Sequence, residues 1–307
     1  PLGFILLSLY CGYKKFKLVT EIYKAADDLS STFNSAYIII IIASIIKTVF
    51  LIFAAAVLLY SYSVKSEILI QLPIIAIFYI FFYWFTNLID TICHITLTGS
   101  FCSKIFTIDD VDILYYKPLN KPKELSPAMA ASRALSSSFG SACYGSFVIP
   151  IIQLVRFIFW DLGDIFEARQ KQESTIDKGL SFIKNLVIYY STFTYARIGT
   201  FGESFSISGK KTVKQFSKHK GLKTIVGEIV ISRLIWLSSI VASIITFALC
   251  LIGQGLSSTV FGELSTTFAV NLSCISAFGS IFMVFTALEI VHSSTTTLFL
   301  SVALSPE

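Results

Sequence analysis

Long apolar runs, each closed by a short charged or proline-bearing stretch, set the pattern of this chain. From Leu29 to Val64 the only charge is Lys47, and Ile68 to Ile89 carries none. After Asp90 no charge appears until Lys104, and Ala134–Val155, Leu234–Gly262 and Leu264–Leu288 are charge-free. A membrane-spanning helix needs about 20 mostly apolar residues. A soluble helix of that length would show a polar face between its apolar stripes, and these runs do not. The pattern predicts an all-α polytopic transmembrane bundle with six full spans, at about 34–62, 68–99, 130–160, 180–202, 228–254 and 267–303. Residues 1–13 read as the tail of a preceding span, so the chain is expected to open in mid-helix at Pro1 with an upstream part before it.

The connections differ in kind. Residues 14–31 alternate Phe16, Leu18, Val19, Ile22 and Leu29 with lysines and acids near the helical period, which predicts an amphipathic helix in the interface. Residues 104–127 hold Pro118, Pro122 and Pro127, a mark of irregular structure. A polar link of mixed charge covers 161–178. The fourth span carries Lys184 and Arg197, which must face protein or water rather than lipid. The segment 203–223 holds six lysines from Lys210 to Lys223 and no acid beyond Glu203. It predicts a basic amphipathic segment meeting anionic lipid head groups. With alternate connections on opposite sides, fourteen lysines fall on one side and four Lys or Arg on the other. The basic side is expected to be cytoplasmic, with the C-terminus on it. The whole of 1–307 reads as a single transmembrane domain.

Composition agrees. Hydrophobic residues are 54% and charged residues 14%, where globular chains carry about 25% charged. Disorder is excluded by this balance. The net charge of +5 lies between apolar runs rather than along one face, so no nucleic-acid partner is expected. Six cysteines show no CxxC or Cys/His spacing and read as small buried hydrophobes. No P-loop, GxSxG or HExxH is present, so no enzyme and no cofactor are expected. The three histidines, His94, His219 and His292, are too scattered in sequence to point to a metal.

Charges inside spans carry the candidate chemistry, because each costs about 2.5–3.5 kcal/mol near the bilayer centre. Lys47, Asp90 and Glu289 lie deepest by position. Asp90 and His94 are spaced i, i+4 and share a helix face, as a proton relay or as a structural pair. Glu289 is followed one turn on by His292, then by the run Ser293–Thr297. That face is a candidate cation site or aqueous path, with His292 a further relay candidate. Small residues at Ser138, Ala142 and Ser146, and at Ser137, Ser141 and Gly145, predict close helix contact around the third span. Aromatics crowd at 79–85 and 189–195. Ring faces with one carboxylate suit a quaternary ammonium group, which has no N–H to donate.

Four stretches in order resemble the choline-transporter-like membrane proteins, most of all the fungal branch. They are HITLTGSFCSKIF (94–106), SRALSSSFGSACYGSFVIPIIQLVRFIF (132–159), YARIGTFGESFSISGKKT (195–212) and LEIVHSSTTTLFLSVALSPE (288–307). The basic link KKFKLVTEIYKAADDLSSTF (14–33) is similar as well. The resemblance implies the C-terminal portion of a ten-span protein with cytoplasmic termini, most often in the plasma membrane. It implies passage of choline or a related small organic cation. For such a transporter the residues themselves offer Glu289 as negative charge or proton carrier and Trp84, Tyr190, Tyr195 and Trp236 as candidate ring faces. Glu203 stands in FGESF where many members have Lys, and Leu304 and Ser305 replace the acids usual before the final Pro-Glu. These departures keep a second expectation open, a non-transporting scaffold or accessory subunit with a protein partner.

Overall fold

The computed structural model describes residues 24–29, 31, 33–63, 68–108, 125–148, 192–216, 219–261 and 266–304. The expected span tail at 1–13, the link 161–178, and most of the amphipathic helix at 14–31 and of the proline-bearing loop lie outside them. So do much of the third and fourth spans, with Lys184 and Tyr190.

The described residues are helical throughout, apart from caps and short breaks. The elements are α1 (Asn34–Ser63), α2 (Ile68–Ile108), α3 (Pro127–Leu135), α4 (Thr192–Phe201), α5 (Phe205–Phe216), α6 (His219–Phe261) and α7 (Thr266–Leu304). Four of them, α1, α2, α6 and α7, are long and apolar enough to cross a membrane. They correspond to the first, second, fifth and sixth expected spans. The six-span count itself is not established by the described residues.

The lateral faces of these helices explain their composition. On α1, Ile38, Ile41, Ile45, Ile52 and Phe53 are exposed, while Ala36, Ile40, Ala43, Lys47 and Ala54 turn inward near the helical period. On α6, Ile244, Ile245, Leu249 and Ile252 are exposed, and only 11% of its most apolar window is buried. Contiguous apolar surface of this extent needs lipid or protein against it.

Contacts fix the directions. Phe82 of α2 meets Phe278 and Phe282 of α7, Asp90 meets Thr286, and Cys102 packs with Leu300. The numbers rise together, so α2 and α7 run parallel. α1 runs antiparallel to α2, with Phe53 beside Phe78, Phe50 beside Phe85, Ala43 beside Ile89 and Ala36 beside Leu97. α6 runs antiparallel to α7, with Trp236 on Phe285 and Ser243 donating to the Ala277 carbonyl.

The shorter helices close one end. α3 starts on Ser126, whose hydroxyl accepts from the Met129 amide, with Pro127 in the first turn. The expected third span is not one unbroken helix: α3 stops at Leu135 and helix resumes over 139–148. Ser136 and Ser137 lie at the break and donate back to the carbonyls of Ser132 and Arg133, offering the backbone a competing partner. Beyond it, Ser138, Ala142 and Ser146 are all buried, and the Ser141 hydroxyl accepts from the Phe205 amide. The row Ser138, Ala142 and Ser146 thus packs as its spacing predicts, whereas in the second row Gly145 is buried but Ser137 is exposed at the break. α4 ends at Gly202, which takes a positive φ of 66° while its amide donates to Ile198. α2 and α4 cross at Gly99 and Gly199, where backbone meets backbone: a Cβ added to Gly199 would fall 2.3 Å from the Ile95 carbonyl oxygen.

Candidate functional site

Three helices bring ionisable groups to one buried seam. Lys47 of α1 is 2% exposed. Its ammonium pairs with Asp90 Oδ1 of α2 at 2.5 Å and donates to Thr286 Oγ1 of α7 at 2.7 Å. Thr286 donates in turn toward Asp90 Oδ1 at 3.3 Å and to the Phe282 carbonyl. An isolated lysine here would cost several kcal/mol. Pairing with a carboxylate and a hydroxyl offsets that cost, and it fixes α1 against both neighbours.

One turn further along both α2 and α7 lies a second layer. His94 Nδ1 stands 2.6 Å from Glu289 Oε1, and the Ser293 hydroxyl donates to the same oxygen at 3.0 Å. Ser293 Oγ also lies 3.0 Å from His94 Nδ1. On the other carboxylate oxygen, Oε2, His292 Nδ1 approaches to 3.6 Å. The two imidazole rings lie with centroids 5.2 Å apart, tilted by 40°. Glu289 is 7% exposed and His94 4%. A carboxylate only accepts, so a proton on His94 Nδ1 completes the short contact.

The hydroxyl run beyond Glu289 is turned inward. Ser293 to Thr297 are all buried. Ser294 and Thr295 donate to the Val291 carbonyl, Thr296 to His292 and Thr297 to Ser293. Ser293 alone of the run bonds the carboxylate, one turn back on α7, and it also touches His94 across on α2. In this conformation the run satisfies its own helix instead of lining open water.

The expected residues divide as follows. Glu289, His94 and His292 come together. Asp90 shares a face with His94 but spends its hydrogen bonds on Lys47 and Thr286. Trp84 and Tyr195 join one apolar cluster with Leu88, Ile95, Ala142 and Phe205. Among the described residues the Trp84 indole nitrogen is buried with no hydrogen-bond partner. Trp236 is half exposed and sits edge-on to Phe285. Tyr190 lies outside the described residues. Sequence reasoning missed Thr286 as the third member of the Lys47–Asp90 group; its place three residues before Glu289, on the same face, was the available signal.

Beside the seam, Arg197 of α4 is buried, donates to Gln215 Oε1 at 2.6 Å and stacks over Phe201. Gln215 donates to the Ala303 carbonyl near the end of α7. Arg197 therefore faces protein. Glu203, the departure in FGESF, pairs with Lys211 of α5. The five described cysteines are free thiols, with Cys93 and Cys102 fully inside.

Long apolar helices with lipid-ready outer faces and paired charges turned inward define a polytopic integral membrane protein. The chain belongs to the plasma-membrane choline transporter family, whose model matches residues 2–307. This is a transporter-like family rather than a family of enzymes. Among curated proteins, the chain is 27% identical to a CTL-like protein of Dictyostelium discoideum over 73% of its own length and 38% of that protein's. It is 25% identical to Protein PNS1 of Debaryomyces hansenii over 75% of the chain and 44% of that protein. Against Protein PNS1 of Gibberella zeae the figures are 25%, 68% and 40%. The chain thus spans about two fifths of the length of these relatives.

Proposed function

We propose that this chain carries the cation-handling part of a transporter for choline or a related small organic cation. The observation that supports this most is Glu289, a carboxylate buried in the middle of a spanning helix, with an imidazole close to each of its oxygens. Intramembrane carboxylates are rare and mark substrate or ion pathways. In this reading Glu289 balances the ammonium charge, and His94, His292 and Asp90 are the groups able to pass a proton. Trp84 and Tyr195, together with Tyr190 and Trp236, supply ring faces when the helices rearrange around substrate. The basic outer face of α5, with Lys210 and Lys214 exposed above buried Phe205, Ser208 and Thr212, contacts anionic head groups on the cytoplasmic side. The plasma membrane is the proposed location.

Uptake of labelled choline into proteoliposomes tests this. The chain should load vesicles above the protein-free level, and Glu289→Gln should reduce uptake at least about tenfold, a loss of about 1.4 kcal/mol in transport-competent binding. Uptake by the unaltered chain no greater than by empty vesicles rejects the reading.

One observation favours a second reading. Lys47, Asp90 and Thr286 tie three helices together through mutual hydrogen bonds, a feature suited to a static bundle that keeps the fold as a scaffold or accessory subunit. A stoichiometric partner retained on the 203–223 segment in mild detergent, without cation flux, would support it.

A further inference from the structure

The fold undoes the scatter of the histidines. His94 and His292 are far apart in sequence, yet with Glu289 they place one donor atom each within 4.8 Å of one another. Two neutral imidazoles and one carboxylate form the three-ligand set found in open zinc sites, where Zn–N is about 2.0–2.1 Å and Zn–O about 2.0–2.2 Å. Ligands on one tetrahedral metal then stand about 3.3 Å apart. The two gaps here, 2.6 Å from His94 Nδ1 to Oε1 and 3.6 Å from His292 Nδ1 to Oε2, bracket that spacing. The donors of the two imidazoles lie within 4.8 Å of one another. Ser293 Oγ, 3.0 Å from both His94 Nδ1 and Glu289 Oε1, stands where a fourth oxygen ligand or a bridge to water is needed. Among the described residues His94 Nε2 has no hydrogen-bond partner, so the polar contacts of that ring run through Nδ1 into the cluster.

We propose that His94, Glu289 and His292 form a binding site for a divalent transition metal of the zinc class, inside the membrane-spanning bundle. The donor set selects the ion: imidazole nitrogen suits zinc, copper, nickel and iron, whereas magnesium and calcium take oxygen ligands. Binding is a simple exchange. The dication replaces the proton held between His94 and Glu289, and that proton leaves to solvent. Metal affinity must therefore fall as pH falls. The site is independent of whether choline is carried, but it draws on the same carboxylate. A bound dication and an organic cation at Glu289 exclude each other.

The experiment uses the full chain purified in detergent, stripped with a chelator and dialysed against Zn2+ or Co2+ near about pH 7.5. One metal per chain is expected, reversible by chelator, with visible Co2+ d–d bands and a Zn2+ X-ray absorption shell of nitrogen and oxygen without sulfur. His94→Gln and His292→Gln should each weaken binding at least about tenfold, while His219→Gln leaves it unchanged. The absorption shell is read on the unaltered chain, so it stands even if a histidine variant fails to fold. Absence of stoichiometric metal, a sulfur-containing shell, or binding that survives loss of both histidines overturns the proposal. Failure of metal binding beside choline uptake that still depends on Glu289 would remove this site alone.

Discussion

Lys47 carries the sharpest consequence at the scale of single residues. Removing one partner of a buried pair leaves the other charge stranded, at a cost of about 3–5 kcal/mol, whereas replacing both with apolar groups is often neutral. Lys47→Met should accordingly destabilise the detergent-solubilised protein strongly, because Asp90 loses its nearest cation and its shortest hydrogen bond. The double change Lys47→Met with Asp90→Leu should recover most of the loss. Thermal unfolding of the two single variants and the double variant checks this, and additive losses would show that the two residues do not act as a pair. The deep charges were visible in the sequence because charge is so sparse there. Their pairing was not. Asp90 and His94 lie one turn apart on α2, and nothing local reveals that each turns to a different residue of α7, Thr286 for one and Glu289 for the other. Cross-helix partners depend on register, which a single apolar run leaves undetermined.

At the scale of elements, α1 and α7 match their expected bounds within a residue or two, since unbroken apolar length defines them. α2 runs to Ile108, past the expected end near residue 99, and α6 begins at His219, ahead of the expected start near 228. Helical backbone continues beyond the apolar part into polar sequence, and hydropathy registers only the part that lipid covers. The break after α3 was equally hidden, because serines are tolerated inside helices, and back-bonds like those of Ser136 and Ser137 also occur within the unbroken α7. The crossing of α2 and α4 offers a direct test. Gly199→Leu must push the two backbones apart, as even a Cβ would meet the Ile95 carbonyl oxygen. Gly253→Leu on α6, where no atom lies within 4 Å of an added Cβ, should be close to neutral. The expected outcome is a loss of monodisperse protein on size exclusion for the first variant and not for the second. Equal behaviour would mean that the crossing is not close-packed.

For the molecule as a whole, the parallel course of α2 and α7 places the end of α2 and the end of α7 on one side of the membrane. That agrees with the lysine asymmetry, which assigns residues 104–123 and the C-terminus to one compartment. Single cysteines introduced at Lys214 and Ser305 should react with an impermeant thiol reagent from the same side, and one at Lys65 from the other. Labelling of Lys65 and Lys214 positions from one side would break the topology. Overall class was legible because lipid as solvent leaves an unmistakable composition. The site was legible only in its members, since its geometry arises where α1 and α2 meet α7, which lies far along the chain from both. The two-layer arrangement of the seam also limits how the bundle can move. If α7 slipped past α2 by one helical turn, Glu289 would come level with Asp90, and two carboxylates would crowd a single ammonium at Lys47. Mutual repulsion raises that state well above the present one, so the two-layer seam works as a latch that holds α2 and α7 in a single register.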